Sequence, residues 1–308
     1  MQKYYAHGKL LLTAEYFVLD GAPALAIPTR FGQSLEVRSW SHLEWDSFTH
    51  ADICWFEGEW ERVADGFKLQ KTNDTATAER LAQLLASIQR QHPAAAAQLA
   101  EESLSFFLDF PRDWGLGSSS TMISLLAQHL AVNPYQLLAD SFGGSGYDLA
   151  CATADGPLVY ERNDPLAPTV TRVDWAPAYA AQLYFVHLGQ KQNSREGIRY
   201  YRELGGTQAT LIDDVAALTN ALLDAKSWED ASRVADEHEH FISTVLQMER
   251  VQTERFADFP GVIKSLGAWG GDFVMVFTPW PAEKTCAYFN QQGYSTVLAY
   301  EQMILQDA

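Results

Sequence analysis

The glycine- and serine-rich segment at residues 111–121 has the residue types of a phosphate site. It reads Pro-Arg-Asp-Trp-Gly-Leu-Gly-Ser-Ser-Ser-Thr and lies between a run typical of a strand and a run with helical spacing. Glycines let the backbone approach a ligand closely, the first N–H groups of a helix attract anions, and hydroxyls can hold phosphate oxygens or magnesium. No Gly-Lys-Ser/Thr follows, and Ser120 replaces the third glycine of a dinucleotide fingerprint, so neither of those two loops is present. An ordinary glycine turn with a serine N-cap is the alternative.

Two charged residues stand beside other glycines. Asp148 follows the turn at residues 143–146 and could accept a proton from a substrate hydroxyl during phosphoryl transfer. An Asx-turn or a capping aspartate is the alternative. Lys9 begins an apolar strand and could bind phosphate or lower the pKa of a nearby aspartate, or it could be a strand-end lysine whose stem packs on apolar surface.

Three further segments carry polar candidates. Lys191 and Arg195 follow the end of a strand and could bind an anionic substrate group, with a solvated loop as the alternative. A third glycine turn at residues 267–272 could instead be a simple hairpin connection. His238 and His240 lie in an acidic helix at i, i+2 spacing, which points them to different sides, and we expect both at the surface.

The pattern of apolar residues predicts the elements that position these segments. Strands are expected at 9–13, 24–27, 34–38, 52–56, 103–110, 158–161, 169–173, 182–187, 273–277 and 295–299. Helices are expected at 76–91, 94–101, 122–131, 207–225, 228–248, 262–266 and 283–291. The break around Asn163-Asp-Pro165 predicts two α+β halves, residues 1–165 and 166–308.

Composition narrows the class of protein. The 308 residues are 47% hydrophobic and carry 39 acidic against 22 basic side chains, a net charge of −17 that argues against a nucleic-acid partner. Three scattered cysteines suggest a reducing compartment. With no signal-peptide core and no apolar run of membrane-spanning length, we expect a cytoplasmic protein without a membrane partner.

Four segments in chain order resemble the motifs of the GHMP kinase superfamily, which is named for galacto-, homoserine, mevalonate and phosphomevalonate kinases. The segment from Gly8-Lys9 to Glu15-Tyr16 and Val18 is similar to its first motif, and the segment from Pro111 through Gly115 to Ser119 matches its phosphate-loop motif. Residues 144–148 are similar to the segment that holds the catalytic aspartate, and Lys264 with residues 267–272 to the third motif. Ala14 and Trp269 depart from the pattern, because glycine is common at both places.

The resemblance implies an α+β, two-lobed fold, with an N-terminal ribosomal-protein-like βα lobe that binds ATP and a C-terminal ferredoxin-like lobe on the substrate side. It implies that Asp148 is the catalytic base, with Lys9 as its electrostatic partner. ATP would lie on the loop Gly115, Leu116, Gly117, Ser118, Ser119 and Ser120, and Mg²⁺ would be held by Ser118, Ser119 and Asp140. The implied substrate-binding residues are Glu15, Tyr16, Ser145, Gly146, Lys191, Asn193, Ser194, Arg195, Gly267, Ala268 and Gly270.

The resemblance implies a kinase of the mevalonate pathway that acts on a small alcohol or phosphorylated alcohol, and it is compatible with a homodimer. Glu15-Tyr16, in place of Glu-His, and Asp272 after two glycines favour phosphomevalonate as the substrate, with mevalonate second. A diphosphomevalonate decarboxylase-like enzyme and an inactive nucleotide-binding homologue are the remaining alternatives.

Overall fold

The computed structural model describes residues 1–190, 194–205, 209–269 and 272–306. The strands are β1 Gln2–Leu11, β2 Ala24–Ser39, β3 Leu43–Phe48, β4 Cys54–Val63, β5 Gly66–Thr72, β6 Glu102–Leu108, β7 Leu158–Glu161, β8 Thr169–Arg172, β9 Leu183–His187, β10 Val262–Ser265, β11 Phe273–Phe277 and β12 Val297–Ala299. The helices are α1 Thr75–Gln91, α2 Pro93–Leu99, α3 Ser118–Leu130, α4 Pro134–Asp140, α5 Tyr147–Ala152, α6 Ser194–Glu203, α7 Ala209–Asp224, α8 Trp228–Leu246, α9 Val251–Arg255, α10 Ala282–Gln291 and α11 Tyr300–Met303. The predicted α+β class is confirmed.

The chain packs as two compact units, each made of several segments. The first unit comprises Met1–Gly8, Phe31–Arg112 and Leu116–Thr153, and the second comprises Lys9–Arg30, Asp113–Gly115 and Ala154–Ala308. Residues 9–30, 113–115 and 154–165 of the expected N-terminal half therefore fall in the second unit. The division into residues 1–165 and 166–308 stays a prediction.

The first unit is built on a sheet with the strand order β5-β4-β3-β6-β2. All neighbours are antiparallel except β3 and β6, which run parallel from the pair Glu44 and Ser103 to the pair Phe48 and Phe107. Helices α1 to α3 supply apolar side chains that pack with those of the sheet. This core contains Trp45, Phe56, Trp60, Leu84, Leu85, Ile88, Phe106, Ile123, Leu125 and Leu126.

Helix α1 shows how the local sequence sets an element of this unit. The Asp74 side chain accepts a hydrogen bond from the backbone N–H of Thr77 at 3.2 Å, which satisfies a free donor of the first turn. Leu81, Leu84, Leu85 and Ile88 follow at helical spacing and are all buried. Pro93 then begins a new helix, α2, because it has no N–H to continue the first one.

In the second unit, the N-terminal part of β2 pairs with β7, and β7 pairs with β8. A separate four-stranded antiparallel sheet has the order β10-β11-β9-β12. Its core contains Tyr184, Val186, Val251, Phe256, Phe259, Ile263, Val274, Val276 and Phe289. The expected helix at 262–266 was wrong. These residues form β10, which pairs with β11 from Val262 opposite Phe277 to Ser265 opposite Val274.

Other differences concern the number and length of elements. The strands expected at 24–27 and 34–38 are parts of one strand, β2, and the structure adds β3, β5, α4, α5, α6, α9 and α11. No helix within the described residues is long and apolar enough to cross a membrane.

Candidate active site

The glycine loop, residues 115–120, ends in the first turn of α3. Gly115 has φ of +66° and Gly117 has φ of +90°, left-handed values that glycine adopts without steric cost. Gly117 is the N-cap of α3, and no side chain caps this end within the described residues. The serine N-cap considered for this segment is therefore not formed. Ser119 is exposed and Ser118 partly exposed, and both stand in the first turn of α3, the end of a helix that favours anions.

Gly115 is also confined by its surroundings. A Cβ atom at this position would lie 2.2 Å from Oδ2 and 2.3 Å from Cγ of Asp272, a residue of the third glycine turn in the same unit. Atoms cannot approach so closely without displacement of the aspartate. The structure thus brings the backbone of Gly115 against the third turn at a place where only glycine fits.

Asp148 lies in the first turn of the short helix α5, after Gly146 with φ of +92°. Its Oδ2 accepts a hydrogen bond of 2.9 Å from the hydroxyl of Ser120 in α3. Its Oδ1 is buried and has no hydrogen-bond partner within the described residues. The structure therefore joins two glycine-rich segments that the sequence analysis treated separately. Ser120, expected at the cofactor, directs its hydroxyl to the predicted base.

Two charged candidates behave differently. Lys9 is partly buried in β1 and belongs to the second unit, whereas Asp148 belongs to the first, so the predicted electrostatic pairing stays a prediction. Asp140 accepts hydrogen bonds from the side chains of Ser87, at 2.7 Å, and Gln136, at 3.2 Å, and also from Gln91. These contacts tie the end of α4 to α1, and the magnesium role of Asp140 stays a prediction. No group of three or more His, Cys, Asp or Glu side chains suited to a metal occurs in the described part of the chain.

The Ala14–Tyr16 turn, in the second unit, carries unusual backbone angles. Ala14 has φ of +59° and Tyr16 has φ of +67°, left-handed values that cost an ordinary residue energy. The angle at Ala14 explains why glycine suits this position in the motif that it resembles. Left-handed non-glycine residues persist where neighbouring contacts hold them, and they concentrate at functional sites.

Tyr16 is held from three sides. Its hydroxyl accepts a hydrogen bond of 3.2 Å from the backbone N–H of Trp269, and its ring stacks on Tyr201 with centroids 5.5 Å apart. The hydroxyl of Tyr201 in turn donates to Asp20 at 2.7 Å. A Cβ atom on Gly197 would lie 2.6 Å from the Tyr16 hydroxyl oxygen, so α6 packs closely on this tyrosine. The first motif, α6 and the third motif thus meet at one side chain.

The turn contributes Glu15 to a buried cluster of ionisable residues. The other members are His238, Glu239 and Lys264, and each of the four is at most 1% exposed. Lys264 donates to Glu15, and His238 Nε2 lies 3.5 Å from the other Glu15 oxygen. Burial raises the pKa of Glu15 to about 7, although the Lys264 ammonium opposes the shift. Burial, with the Lys264 charge second, holds the pKa of His238 well below its ordinary value, so this imidazole is neutral at pH 7.

The expected surface position of His238 was wrong, whereas His240 is exposed as expected. The sequence did contain a signal. Ala231, Val234, Ala235 and Ile242 lie on the buried side of α8, and position 238 continues their helical spacing while 240 does not. Glu239, also missed, accepts hydrogen bonds from the Ser265 N–H at 3.0 Å and from its hydroxyl at 2.8 Å.

The remaining expected substrate residues lie in three places. Gly146 is buried and Ser145 partly exposed beside Asp148, while Gly267, with φ of +66°, and Ala268 lie in the β10–β11 turn. Ser194 and Arg195 begin α6 and are exposed. The predictions for Lys191, Asn193 and Gly270 lie outside the described residues.

Comparison with known proteins gives a likeness of fold. No family model and no curated protein sequence matches this chain. Its structure is similar to a protein from Listeria innocua at 14% identity, with a TM-score of 0.70 and 96% of each chain covered. It is similar to Streptococcus pneumoniae phosphomevalonate kinase in complex with phosphomevalonate and AMPPNP at 17% identity, with a TM-score of 0.68, covering 95% of this chain and 96% of that one.

The mevalonate kinase of L. major, in complex with R-mevalonate, matches at 14% identity with a TM-score of 0.65, covering 100% of this chain and 97% of that one. Sequence identities this low indicate a shared fold and do not indicate a shared substrate. The likeness extends over nearly the whole chain, and it shows that this chain shares its fold with solved phosphomevalonate and mevalonate kinases.

Proposed function

We propose that this chain is an ATP-dependent kinase that phosphorylates a hydroxyl group of a small molecule. The observation that carries the proposal is the Asp148 carboxylate, because Ser120 holds one of its oxygens while the other is buried without a partner among the described residues. An unpaired buried acceptor is costly, and a bound hydroxyl group would supply the missing donor. The fold, shared with solved kinases of small alcohols, also supports the proposal.

The glycine loop fits a triphosphate and a magnesium ion. Gly117 takes a left-handed angle, and the N–H groups that begin α3 have no capping side chain within the described residues. The hydroxyls of Ser118 and Ser119 are oxygen ligands of the kind that magnesium accepts alongside phosphate. ATP with magnesium would supply the phosphoryl group and offset much of its negative charge.

The protein side of the reaction then concerns orientation and one proton. Asp148 Oδ1 would accept the hydrogen bond of the substrate hydroxyl and take its proton as the substrate oxygen bonds to the γ-phosphorus of ATP, while the bond from that phosphorus to the bridging oxygen breaks and ADP leaves. Ser120 fixes the rotamer of Asp148, so that the same oxygen always faces the hydroxyl. Lys9 supplies positive charge that offsets the carboxylate and the phosphates.

The favoured substrate is phosphomevalonate, in the mevalonate pathway of isoprenoid precursor synthesis. Tyr16 after Glu15 and Asp272 at the end of the third turn are the features that favour it over mevalonate. A substrate that already carries phosphate needs cations, and Lys191 and Arg195 are the candidates. Mevalonate is a close second, because the chain is strongly acidic, with a net charge of −17, and is therefore less suited to the extra negative charge of a phosphorylated substrate.

The test is a screen of ADP release with phosphomevalonate, mevalonate, homoserine and galactose. We expect kcat/KM for phosphomevalonate to exceed that for mevalonate by at least about tenfold, which is about 1.4 kcal/mol of transition-state binding. Lys191→Ala should remove most of this preference, while Lys226→Ala, at an exposed lysine without a proposed role, should not.

Each alternative has its own result. A better rate with mevalonate, with Lys191→Ala affecting both substrates equally, would overturn the substrate and leave the kinase in place. Release of carbon dioxide with ADP from diphosphomevalonate would indicate a decarboxylase. Calorimetric binding of ATP without turnover of any alcohol would indicate an inactive homologue.

A further inference from the structure

Helix α8 places two adjacent polar residues, His238 and Glu239, among its buried side chains. Glu239 binds Ser265, the last residue of β10, which leads into the third glycine turn. His238 Nε2 accepts a hydrogen bond of 2.9 Å from the backbone N–H of Ala14. One turn of one helix therefore contacts both the Ala14–Tyr16 turn and the strand that precedes Trp269.

The contact at Ala14 matters because of the backbone that it holds. Ala14 and Tyr16 both have positive φ angles. Without supporting contacts, these two residues would adopt the negative φ angles that non-glycine residues prefer. The Ala14 N–H is buried, so a hydrogen-bond acceptor at this point favours the strained conformation over alternatives that would leave the donor unpaired. His238 supplies that acceptor.

The chemistry of the imidazole suits this task. Since Nε2 accepts from Ala14, the single proton of the neutral ring lies on Nδ1, which has no partner within the described residues. The facing titratable groups are Glu15 on the turn, Lys264 on β10 and the neighbouring Glu239 on α8. A neutral ring can accept from a backbone N–H, whereas an imidazolium cannot, so burial beside the Lys264 ammonium keeps His238 in the useful form.

We propose that His238 is a positioning residue, which holds the Ala14–Tyr16 turn so that the Tyr16 hydroxyl stays beside Trp269 and available to the substrate. The inference rests on the proposed function, because it takes Tyr16 as part of the substrate site. In this proposal His238 has no direct part in binding or chemistry, and it acts only through the conformation of the turn.

The first experiment measures the turn without any assay of activity. Amide hydrogen exchange of a peptide covering residues 12–18 is compared between the wild-type chain, His238→Met and His238→Gln. Loss of the acceptor in His238→Met should raise exchange of this peptide at least about tenfold, and His238→Gln, which keeps an acceptor, should lie closer to wild type. His240→Met, on the exposed side of the same helix, is the matched control and should change nothing.

The second experiment separates positioning of the alcohol from general damage. His238→Met should raise KM for the alcohol substrate at least about fivefold while KM for ATP stays within about twofold, because the strained turn carries the proposed alcohol contacts. Adding Ala14→Gly to His238→Met should recover most of the loss, since glycine adopts the left-handed angle without support. If His238→Met does not fold, the readout becomes folding itself, and adding Ala14→Gly should restore it.

The outcomes are distinct. Unchanged exchange and unchanged KM in His238→Met would overturn the positioning role, as would equal increases of KM for both substrates or a double variant that shows no recovery. A wild-type chain that turns over no alcohol would refute the proposed function, while the exchange comparison would still decide whether His238 holds the turn.

Discussion

Replacing Gly115 with alanine tests the close approach between the glycine loop and the third turn. The new Cβ would lie 2.2 Å from Oδ2, 2.3 Å from Cγ and 2.8 Å from Cβ of Asp272, so rotation of the carboxylate alone cannot clear the space. A left-handed angle costs alanine about 1–2 kcal/mol, and forcing an extra methyl group into packed surroundings costs about 1–3 kcal/mol. We therefore expect Gly115→Ala to lower the free energy of unfolding by about 2–5 kcal/mol.

Gly189→Ala is the matched control. Gly189 has φ of +73°, close to the +66° of Gly115, but a Cβ atom there would meet nothing within 4 Å. Both substitutions restrict the unfolded chain equally, so this contribution cancels in the comparison. The difference between the two variants, about 1–3 kcal/mol, isolates the contact with Asp272.

The assay is urea unfolding of the two variants and of Gly115→Ala combined with Asp272→Gly, which removes the opposing side chain. Midpoints are compared at equal slope, so that a shift reports stability alone. Gly115→Ala should unfold at clearly lower urea than Gly189→Ala, and the second substitution should return part of the loss. Equal midpoints for the two alanine variants would refute the reasoning, because the contact would then contribute nothing.

Four other substitutions test the site. Asp148→Asn should lower kcat about 10²-fold to 10⁴-fold with ATP affinity little changed by calorimetry, and wild-type turnover would exclude it as the base. Lys9→Met should also lower kcat, because a cation that offsets developing charge is lost, and an unchanged kcat would leave it a structural strand residue. Gly117→Val should weaken ATP binding, because valine is unsuited to φ of +90° and its side chain blocks the close approach of phosphate. Circular dichroism should show that this variant is folded, and normal ATP binding by a folded variant would argue against the loop as the phosphate site. Glu15→Gln should change the pH dependence of stability. Folding raises the pKa of Glu15 from an ordinary 4.5 to about 7, so the folded chain binds that proton more tightly than the unfolded chain. The free energy of unfolding of the wild-type chain relative to Glu15→Gln should therefore be constant below about pH 4.5 and should fall between about pH 4.5 and pH 7. A relative stability that rises over this interval would contradict the shift.

Periodicity in the sequence was sufficient where an element is long or fully apolar. Helix α1 was predicted at 76–91 and spans Thr75–Gln91, because four apolar residues mark one side and Asp74 marks its start. β7 and β11 have the predicted bounds. The helix predicted at 262–266 was wrong, because a short apolar run fits a helix or a strand equally well. Only the pairing with β11 decides between the two.

The glycines of the candidate site could be predicted from the sequence, whereas the contacts between its distant side chains could not. Gly115, Gly117 and Gly146 could be identified because the turns they make require left-handed angles. The hydrogen bond between Ser120 and Asp148 joins residues far apart in the chain, and nothing in either segment specifies the other. Periodicity places residue 238 on the apolar side of α8, whereas the surface position was expected from the acidic helix and from the i, i+2 spacing of His238 and His240.

The residues that local rules predict worst share a physical property. Ala14 and Tyr16 take angles that their own chemistry disfavours, and Glu15 between them is an acid with no exposed surface. A segment with such costs folds only if distant residues offset them, and here His238 and Lys264 do so from α8 and β10. Selection for stability alone would favour a glycine and an apolar side chain at this turn. The turn instead combines strain and buried charge, next to a tyrosine that is hydrogen-bonded to the third turn. A requirement for function, rather than for folding, predicts this combination.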